Sequence, residues 1–138
     1  MDEIPTLTVI GHVESALTDR ALAPKQGSEG SPEAWLVFRS SFREALRDLK
    51  EGDDVIVLTW LDRADRDVLR VHPRDDLSRS PMGVFSTRSA DRPNPIGLHR
   101  VRIVSVVDGL RFRVHDLEAV HGTPILDVKP VLARVGDS

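Results

Sequence analysis

The sequence predicts a mainly β fold, a small barrel of short strands with one main helix, in a single domain over residues 1–138. A chain of 138 residues suits one domain and leaves little room for a second module. Several short runs are rich in β-branched residues and are separated by Gly, Pro and Asp, which favours strands joined by turns. Only one stretch carries apolar residues at helical spacing. Many strands around one helix indicate a closed or nearly closed barrel.

The first half of the chain begins with a strand and a long loop. Residues 7–13 are rich in β-branched side chains, which predicts a first strand. Residues 19–32 turn to Ala, Pro, Gly and Ser, which predicts a loop. Residues 55–61 are too short and too β-branched for a helix of their apolarity, so they predict a buried strand. Trp35 and Trp60 lie in apolar runs and are expected in the core.

The one predicted helix follows the apolar run 34–38. Ser40 or Ser41 is expected to cap its N-terminus, and Gly52 can take the positive φ that ends a helix. The apolar spacing places four side chains of this helix on one face: Phe42, Ala45, Leu46 and Leu49.

The second half of the chain predicts further strands. Asp108-Gly109 lies between two alternating runs, and this dipeptide supplies the left-handed backbone that a tight hairpin needs. The strands predicted from the β-branched runs are 68–72, 83–86, 99–107, 110–115 and 125–128.

Composition excludes several classes of protein. Apolar residues make up 40% of the chain and charged residues 30%, which suits a folded domain rather than a disordered one. Cysteine is absent, so disulfides, thiolate metal sites and cysteine nucleophiles are excluded, and the cytoplasm is the expected compartment. No secretory signal or membrane-spanning apolar run is expected. The formal net charge of -3 argues mildly against nucleic acid as a partner.

Common catalytic and metal-binding patterns are absent from the sequence. There is no Walker-type phosphate loop, no G-x-G-x-x-G and no H-E-x-x-H pair. Ser86 and Ser89 lack the G-x-S-x-G context of a serine hydrolase. No metal is expected, because the histidines lack ligand spacing and are interpreted as packed or solvated: His12, His72, His99, His115 and His121.

Two segments carry more special residues than core packing explains. In residues 88–97, two prolines stiffen a loop with several directional polar groups, which suits a preformed ligand site. The alternative is a structural crossover loop in which Asp91 pairs with Arg92 and Asn94 holds a turn. In residues 121–130, a Gly-Thr-Pro turn leads into a strand on which two polar side chains share a face about 7 Å apart. These two, Asp127 and Lys129, can flank a polar ligand or form a weak surface ion pair.

Together these segments resemble the signature of the TrmO family, TsaA-like β-barrel tRNA methyltransferases that depend on S-adenosylmethionine. Residues 83–97 follow the family pattern G-V-F-A-T-R-S-x-x-R-P-N-P-I-G except at Ser86, and residues 122–130 closely follow G-T-P-V-L-D-I-K-P. Supporting similarity covers nearly the whole chain. The resemblance implies a TrmO-like barrel, a homodimer with S-adenosyl-L-methionine bound near the dimer contact, and tRNA processing. The implied substrate is the exocyclic nitrogen of threonylcarbamoyladenosine beside the anticodon.

The resemblance also implies site residues. Asp127 and Lys129 are candidates for catalytic roles at the reacting end. The residues expected to bind substrate or to hold the loops are Arg92, Asn94, His121 and Thr123. The residues expected to contact the cofactor are Pro24, Lys25, Gln26, Asp62, Arg63, Arg88, Leu98, Ile125, Leu126, Asp127 and Val128.

Two departures from the family pattern leave other functions open. His121 stands where the family has Asp, and Val131 stands where it has Tyr. The chain has no Tyr and few aromatic residues on which a base can stack. One alternative is a methyltransferase that acts on a small metabolite by N- or O-methylation. A second alternative is a dimer that binds the cofactor without turnover. No residue stands out in the sequence as a general base.

Overall fold

The computed structural model describes residues 4–16, 33–73 and 76–132. In this part of the chain two strands, β4 and β5, pair only with each other, and the other six close into an antiparallel barrel in the order β1-β2-β7-β6-β3-β8. The predicted β-barrel is therefore confirmed. The strands are β1 (Gly11–Glu14), β2 (Ala34–Phe38), β3 (Asp54–Trp60), β4 (Arg70–Val71), β5 (Met82–Gly83), β6 (Ile96–Val107), β7 (Arg111–His115) and β8 (Pro124–Pro130).

Strand β3 shows how the barrel sorts its side chains. Val55, Val57 and Thr59 are buried, whereas their neighbours in the sequence are only partly covered. Successive side chains of a strand point to opposite faces, so every second residue of β3 enters the core. By the same alternation Trp35 and Trp60 are half-buried, and the expectation that both lie in the core is wrong.

The interior of the barrel is filled by aliphatic side chains around one aromatic pair. The rings of Phe38 and Phe112 meet edge to face, with centroids 5.5 Å apart. The buried apolar side chains of this core are Val13, Ala34, Leu36, Phe38, Leu46, Val55, Val57, Val101, Ile103, Phe112, Val114, Leu117, Ala119 and Ile125.

The helix is shorter than the sequence predicts. A 3-10 turn over Ser40–Phe42 leads into α1 (Arg43–Leu46), which is a single turn. No side chain caps either element, so the predicted cap at Ser40 or Ser41 is wrong. None of the helices in the described residues is long and apolar enough to span a membrane.

The apolar face predicted for this helix forms only in part. Leu46 is buried and Leu49 packs against the core, but Ala45 is exposed. Gly52 adopts the predicted positive φ, +93°, and its N–H bonds the carbonyl of Ile103 at 2.8 Å. The turn at Gly52 leads the chain from the end of the helical segment into β3.

Other strand predictions differ at their limits. The first strand begins at Gly11 rather than at residue 7, and residues 70–71 form only a two-residue strand. Val84–Ser86 is a 3-10 turn and not a strand, because the Thr87 N–H bonds back to the Val84 carbonyl at 3.0 Å. The predicted loop over residues 19–32 lies outside the described residues.

The predicted hairpin at Asp108-Gly109 is confirmed. Both residues have positive φ, +56° and +66°, and the Leu110 N–H closes the turn on the Val107 carbonyl at 3.2 Å. Two consecutive left-handed residues match the right-handed twist of the strands they join, here β6 and β7.

Candidate functional site

A broad cleft of about 2150 Å³ lies beside the first half of β6. Its walls come from residues 61–65 after β3, from the loop 85–92, and from residues between 115 and 120 after β7. Residues 96–102 of β6 also line it, although alternate members of that run face the core and the outside. A cleft can reach both faces of a strand only where one edge of the strand is uncovered.

The pairing of β6 explains this opening. Residues 96–101 pair with β3, and β7 joins β6 only from Arg102 onward. The Ile103 N–H bonds the Asp53 carbonyl, so the odd-numbered residues of β6 direct their backbone toward β3. The backbone N–H and C=O groups of Leu98 and Arg100 point away from β3, and no backbone group of the described residues bonds to them there. Residues 98–100 are called the open edge below.

Four of the residues expected to contact the cofactor line this cleft. Asp62 and Arg63 follow β3, Leu98 lies on the open edge, and Arg88 projects from the loop opposite. Arg88 is exposed and makes no hydrogen bond or ion pair with the described residues. Charges of the two signs balance among the lining residues, which include six carboxylates and six arginines: Asp54, Asp62, Asp65, Asp91, Asp116, Glu118, Arg63, Arg79, Arg88, Arg92, Arg100 and Arg102.

The strand register brings the two motif segments together on the outer face of the barrel. Leu58 of β3 lies opposite Leu98 on one side and opposite Asp127 on the other. Directly paired residues share a face, and strands are about 4.8 Å apart, so Leu98 and Asp127 lie on one surface about 10 Å from each other. Residues 29 positions apart in the chain thus border one site.

Strand β8 itself lies outside the cleft lining. Asp127 and Lys129 are both exposed and pair with Leu58 and Ile56, so they share the outer face as predicted. Asp127 Oδ1 accepts a hydrogen bond from the Val128 N–H at 2.9 Å. Leu126 and Val128 are half-buried.

Ile125 faces the other way from these residues. Its side chain is fully buried in the core, and its carbonyl accepts from the Ile10 N–H at 2.9 Å. It also has a strand partner on each side, Gly11 of β1 and Thr59 of β3.

Arg92 is a structural clamp. Its guanidinium donates to three carbonyls, those of Thr87 and Ser89 at 3.1 Å and that of Val84 at 2.6 Å. Asp91 Oδ1 accepts a hydrogen bond from the Asp65 N–H at 2.9 Å, which ties this loop to the segment after β3. The clamp fixes the backbone that presents Arg88 to the cleft.

Asn94 holds a turn, as the structural interpretation of this loop predicts. Its Oδ1 accepts from Arg66 at 3.0 Å, while Arg66 also donates to the Pro93 carbonyl at 2.7 Å. The Arg66 guanidinium lies 5.2 Å from the centre of the Trp60 ring. Asn94 does not line the cleft.

His121 and Thr123 shape the turn before β8. Thr123 is buried, and its hydroxyl donates to the Val120 carbonyl at 2.7 Å. His121 Nδ1 accepts from the Ser15 N–H at 3.2 Å. Gly122 between them has φ +88°, which a residue with a side chain rarely adopts. Thr123 borders the cleft, whereas His121 does not.

A buried polar cluster beside the open edge was not predicted from the sequence. Thr59 Oγ1 lies 2.7 Å from His99 Nε2, and His99 Nδ1 lies 3.7 Å from Glu118 Oε1. A Cβ on Gly97 would collide with Thr59 Oγ1 and lie 2.6 Å from His99 Nε2, so the bridge needs glycine there. The sequence carried one sign of this cluster, because His99 is a polar residue at an inward-facing position of a strand that alternates between core and solvent. A histidine that is simply packed in the core gives the same pattern.

The ion pair of Asp54 and Arg102 on the cleft wall shifts the pKa of both residues. The Arg102 guanidinium donates to both oxygens of Asp54, at 3.0 and 3.3 Å. These hydrogen bonds lower the pKa of Asp54 and raise the pKa of Arg102. The hydroxyl and amide of Ser78 likewise lower the pKa of Asp76.

No group of three or more His, Asp or Glu side chains in the described ranges is arranged to hold a metal ion. Three residues expected at the cofactor, Pro24, Lys25 and Gln26, lie outside the described residues.

The family model for the N-terminal domain of tRNA-methyltransferase O matches residues 12–137. The chain belongs to this family. The resemblance noted in the sequence is therefore confirmed, and the TrmO-family fold accounts for the barrel. A crystal structure of TrmO from Pseudomonas aeruginosa superimposes with a TM-score of 0.73 at 27% identity, over 100% of this chain and 62% of that one.

Curated relatives in the TrmO family are named for the cofactor. A probable S-adenosyl-L-methionine-binding protein of Methanothermobacter thermautotrophicus is 40% identical over 121 residues, which cover 88% of this chain and 85% of that protein. A second, from Archaeoglobus fulgidus, is 40% identical over 129 residues, or 94% of this chain and 34% of that protein. The chain thus spans about a third of one relative and most of the other. S-adenosylmethionine is the cofactor with which the family is associated, as expected.

Proposed function

We propose that this chain is an S-adenosylmethionine-dependent methyltransferase that acts on a modified adenosine of tRNA. The observation that carries the proposal is that Leu98, which directly follows the first motif segment, and Asp127 of the second border one outer surface on either side of Leu58. The family to which the chain belongs is described as a tRNA methyltransferase, which supports tRNA as the acceptor. The exocyclic nitrogen of threonylcarbamoyladenosine is the acceptor that we propose.

The residues at the open edge fit the polar groups of S-adenosylmethionine. Adenine presents a donor and an acceptor on one edge, and the unpaired N–H and C=O of Leu98 match such an edge. The exposed guanidinium of Arg88 suits a carboxylate, for which arginine provides two parallel donors. Asp127 can accept from a ribose hydroxyl or an amine. The balanced charges of the cleft suit a ligand that itself carries both signs.

The chain contributes to catalysis mainly by positioning. When bound, S-adenosylmethionine supplies an electrophilic methyl group on a sulfonium. Arg92 fixes the loop that carries Arg88, and the β3–β6 pairing fixes Leu98, so both contacts are held by rigid structure. Alignment of donor and acceptor within about 3–3.5 Å supplies a large part of the rate in such transfers. Lys129 is proposed to take a polar role at the reacting end.

We also propose that the single domain, residues 1–138, acts in the cytoplasm as a homodimer. Large apolar side chains around the cleft remain exposed in one protomer: Phe85 by 81%, Leu98 by 48% and Ile96 by 46%. A second copy that covers them would also enclose the cofactor. Light scattering after gel filtration measures the mass, and a monomer at micromolar concentration would contradict the dimer.

The first test is calorimetric titration with S-adenosylmethionine and S-adenosylhomocysteine. We expect micromolar binding of both ligands, and tRNA from a strain that lacks its own enzyme should then accept labelled methyl groups. A folded protein that binds neither ligand would refute the cofactor and the enzyme together.

A small-molecule methyltransferase is the alternative supported by a specific observation. The cleft has no excess of positive charge with which to hold a polyanion, since its arginines and carboxylates are equal in number. Cofactor binding with no methylation of any tRNA would favour N- or O-methylation of a metabolite. Cofactor binding with no acceptor of either kind would favour a binding protein without turnover.

A further inference from the structure

The buried cluster of Thr59, His99 and Glu118 contains polar atoms that the fold leaves unpaired. His99 Nδ1 and Glu118 Oε2 are covered from water and have no hydrogen-bond partner among the described residues. The His99 side chain is 3% exposed and that of Glu118 is 22% exposed. Most buried polar atoms in proteins are paired, so an unpaired imidazole nitrogen and an unpaired carboxylate oxygen in one cluster need an explanation, and a catalytic role is one.

The imidazole of His99 lies between the other two groups of the cluster. Thr59 Oγ1 and His99 Nε2 lie within hydrogen-bond distance, and the tautomer of His99 decides which of the two donates. His99 Nδ1, on the other side of the ring, faces Glu118 Oε1 at 3.7 Å. The imidazole thus lies beside Oε1, while Oε2 has no hydrogen-bond partner among the described residues.

The three groups differ in their access to the cleft. Thr59 is fully buried, so its hydroxyl cannot meet a substrate. Glu118 is partly exposed, lines the cleft, and lies on the segment after β7 that faces the open edge. The last torsion of a glutamate rotates easily, so Oε2 can turn toward a group in the cleft. Glu118 is therefore the member of the cluster that can contact an acceptor.

We propose that Glu118 accepts the proton released by methyl transfer and that His99 is the residue that positions it. This inference rests on the proposed methyltransferase function. The methyl carbon leaves the sulfonium sulfur, which keeps the electron pair and becomes a thioether, and forms a C–N bond at the acceptor nitrogen. The proton of that nitrogen passes to Glu118 Oε2. An amide-like nitrogen is a weak nucleophile, so removal of its proton in the transition state accelerates transfer.

The test measures single-turnover methyl transfer to tRNA from the strain described above, with Glu118→Gln and Glu118→Asp. Loss of a general base typically costs about 100- to 10,000-fold in rate, so we expect a fall of that order for Glu118→Gln. The affinity for S-adenosylmethionine, measured by calorimetry, should stay within about 3-fold, and Glu118→Asp should restore part of the rate. His99→Gln should lower kcat far more than it changes KM.

A matched His–carboxylate pair on the outer wall controls for nonspecific effects. His12 Nε2 lies 3.8 Å from Glu14 Oε2, and neither residue lines the cleft. His12→Gln and Glu14→Gln should leave the rate unchanged. A Glu118→Gln variant that binds the cofactor and keeps the wild-type rate overturns the inference, and so does an aspartate variant that is folded yet no faster than the glutamine variant. A wild-type chain with no transferase activity overturns the proposed function and this inference together.

Discussion

Arg88 and Arg92 belong to one loop and have the same side chain, but their surroundings give them different roles. The Arg92 guanidinium is engaged by three backbone carbonyls. Arg88 is exposed and has no such partner among the described residues. A guanidinium is planar with several donors, so it can organise a loop in one place and grip a carboxylate in another.

Substitution by alanine should separate these roles. Arg88→Ala should weaken S-adenosylmethionine binding by about 10-fold or more and leave the Tm unchanged, because a charge-assisted contact is lost and no structural one. Arg92→Ala should lower the Tm by several degrees, because partly buried carbonyls lose their donor. Calorimetry and thermal unfolding measure the two effects. Arg39→Ala, on an exposed arginine away from the cleft, is the control, and equal losses of affinity for it and Arg88→Ala would contradict the assignment.

Gly97 shows that a motif glycine can be required by its neighbours. Gly97→Ala should destabilise the barrel by about 1–3 kcal/mol, because the new Cβ would meet Thr59 Oγ1 and His99 Nε2 in a packed interior. Denaturant unfolding measures the change. Gly83→Ala is the matched control, since nothing lies within 4 Å of a Cβ at that position. Equal effects at the two positions would refute the packing argument.

Among the strands, β6 contributes most to the proposed site. Residues 96–102 pair with β3 and β7 joins from Arg102 onward, so among the described strands residues 98–100 have a partner on one side and leave the open edge. An uncovered edge presents unpaired donors and acceptors, which can bind a ligand as well as another strand. The same strand therefore closes the barrel at one end and borders the cleft at the other.

Amide hydrogen exchange should report this division. The Leu98 and Arg100 amides should exchange quickly in the free protein, while those of Gly97, His99 and Val101, which are directed at β3, should exchange slowly. Addition of S-adenosylmethionine should slow the Leu98 amide. Two-dimensional NMR during exchange into heavy water resolves these sites, and a protected Leu98 amide in the free protein would contradict the open edge.

The hairpin between β6 and β7 tests the local chemistry of an element. Gly109→Ala should cost about 1 kcal/mol or more, because alanine at φ +66° is strained. Asp108→Gly should cost less, because glycine accepts the φ of +56° found there. The free energies of unfolding of the two variants decide this, and a larger loss for Asp108→Gly would show that the Asp108 side chain matters more than its backbone.

At the scale of the whole molecule, stability at acidic pH should depend in part on the pair of Asp54 and Arg102. The pKa of Asp54 is lowered in the folded state by the hydrogen bonds from Arg102. Its contribution to stability is therefore present above the ordinary pKa of aspartate and is lost as the pH falls through the lowered value. Asp54→Asn should be less stable than wild type at pH 7, and the two should converge in strong acid. Urea unfolding across pH tests this, with Asp67→Asn as an exposed control.

The sequence predicts the fold class because periodicity and turn chemistry are local properties. The Asp108-Gly109 hairpin and the strands around it follow from residues close together in the chain. The helix is overestimated because tertiary constraints turn the chain after Leu46, whatever the apolar spacing beyond it indicates. The open edge and the link between His99 and Glu118 depend on register between distant segments, and no local pattern carries that information.

Leu98 and His99 are consecutive residues that face opposite sides of the barrel wall, yet both border the same cleft. Insertion or deletion of one residue in this part of β6 would exchange their faces, so the imidazole would leave the interior and the leucine would enter it. Length changes between Ile96 and Val101 should consequently prevent folding. A scan of single-residue deletions along β6, with folding and cofactor binding measured separately, would show where the length of the strand can vary and where it cannot.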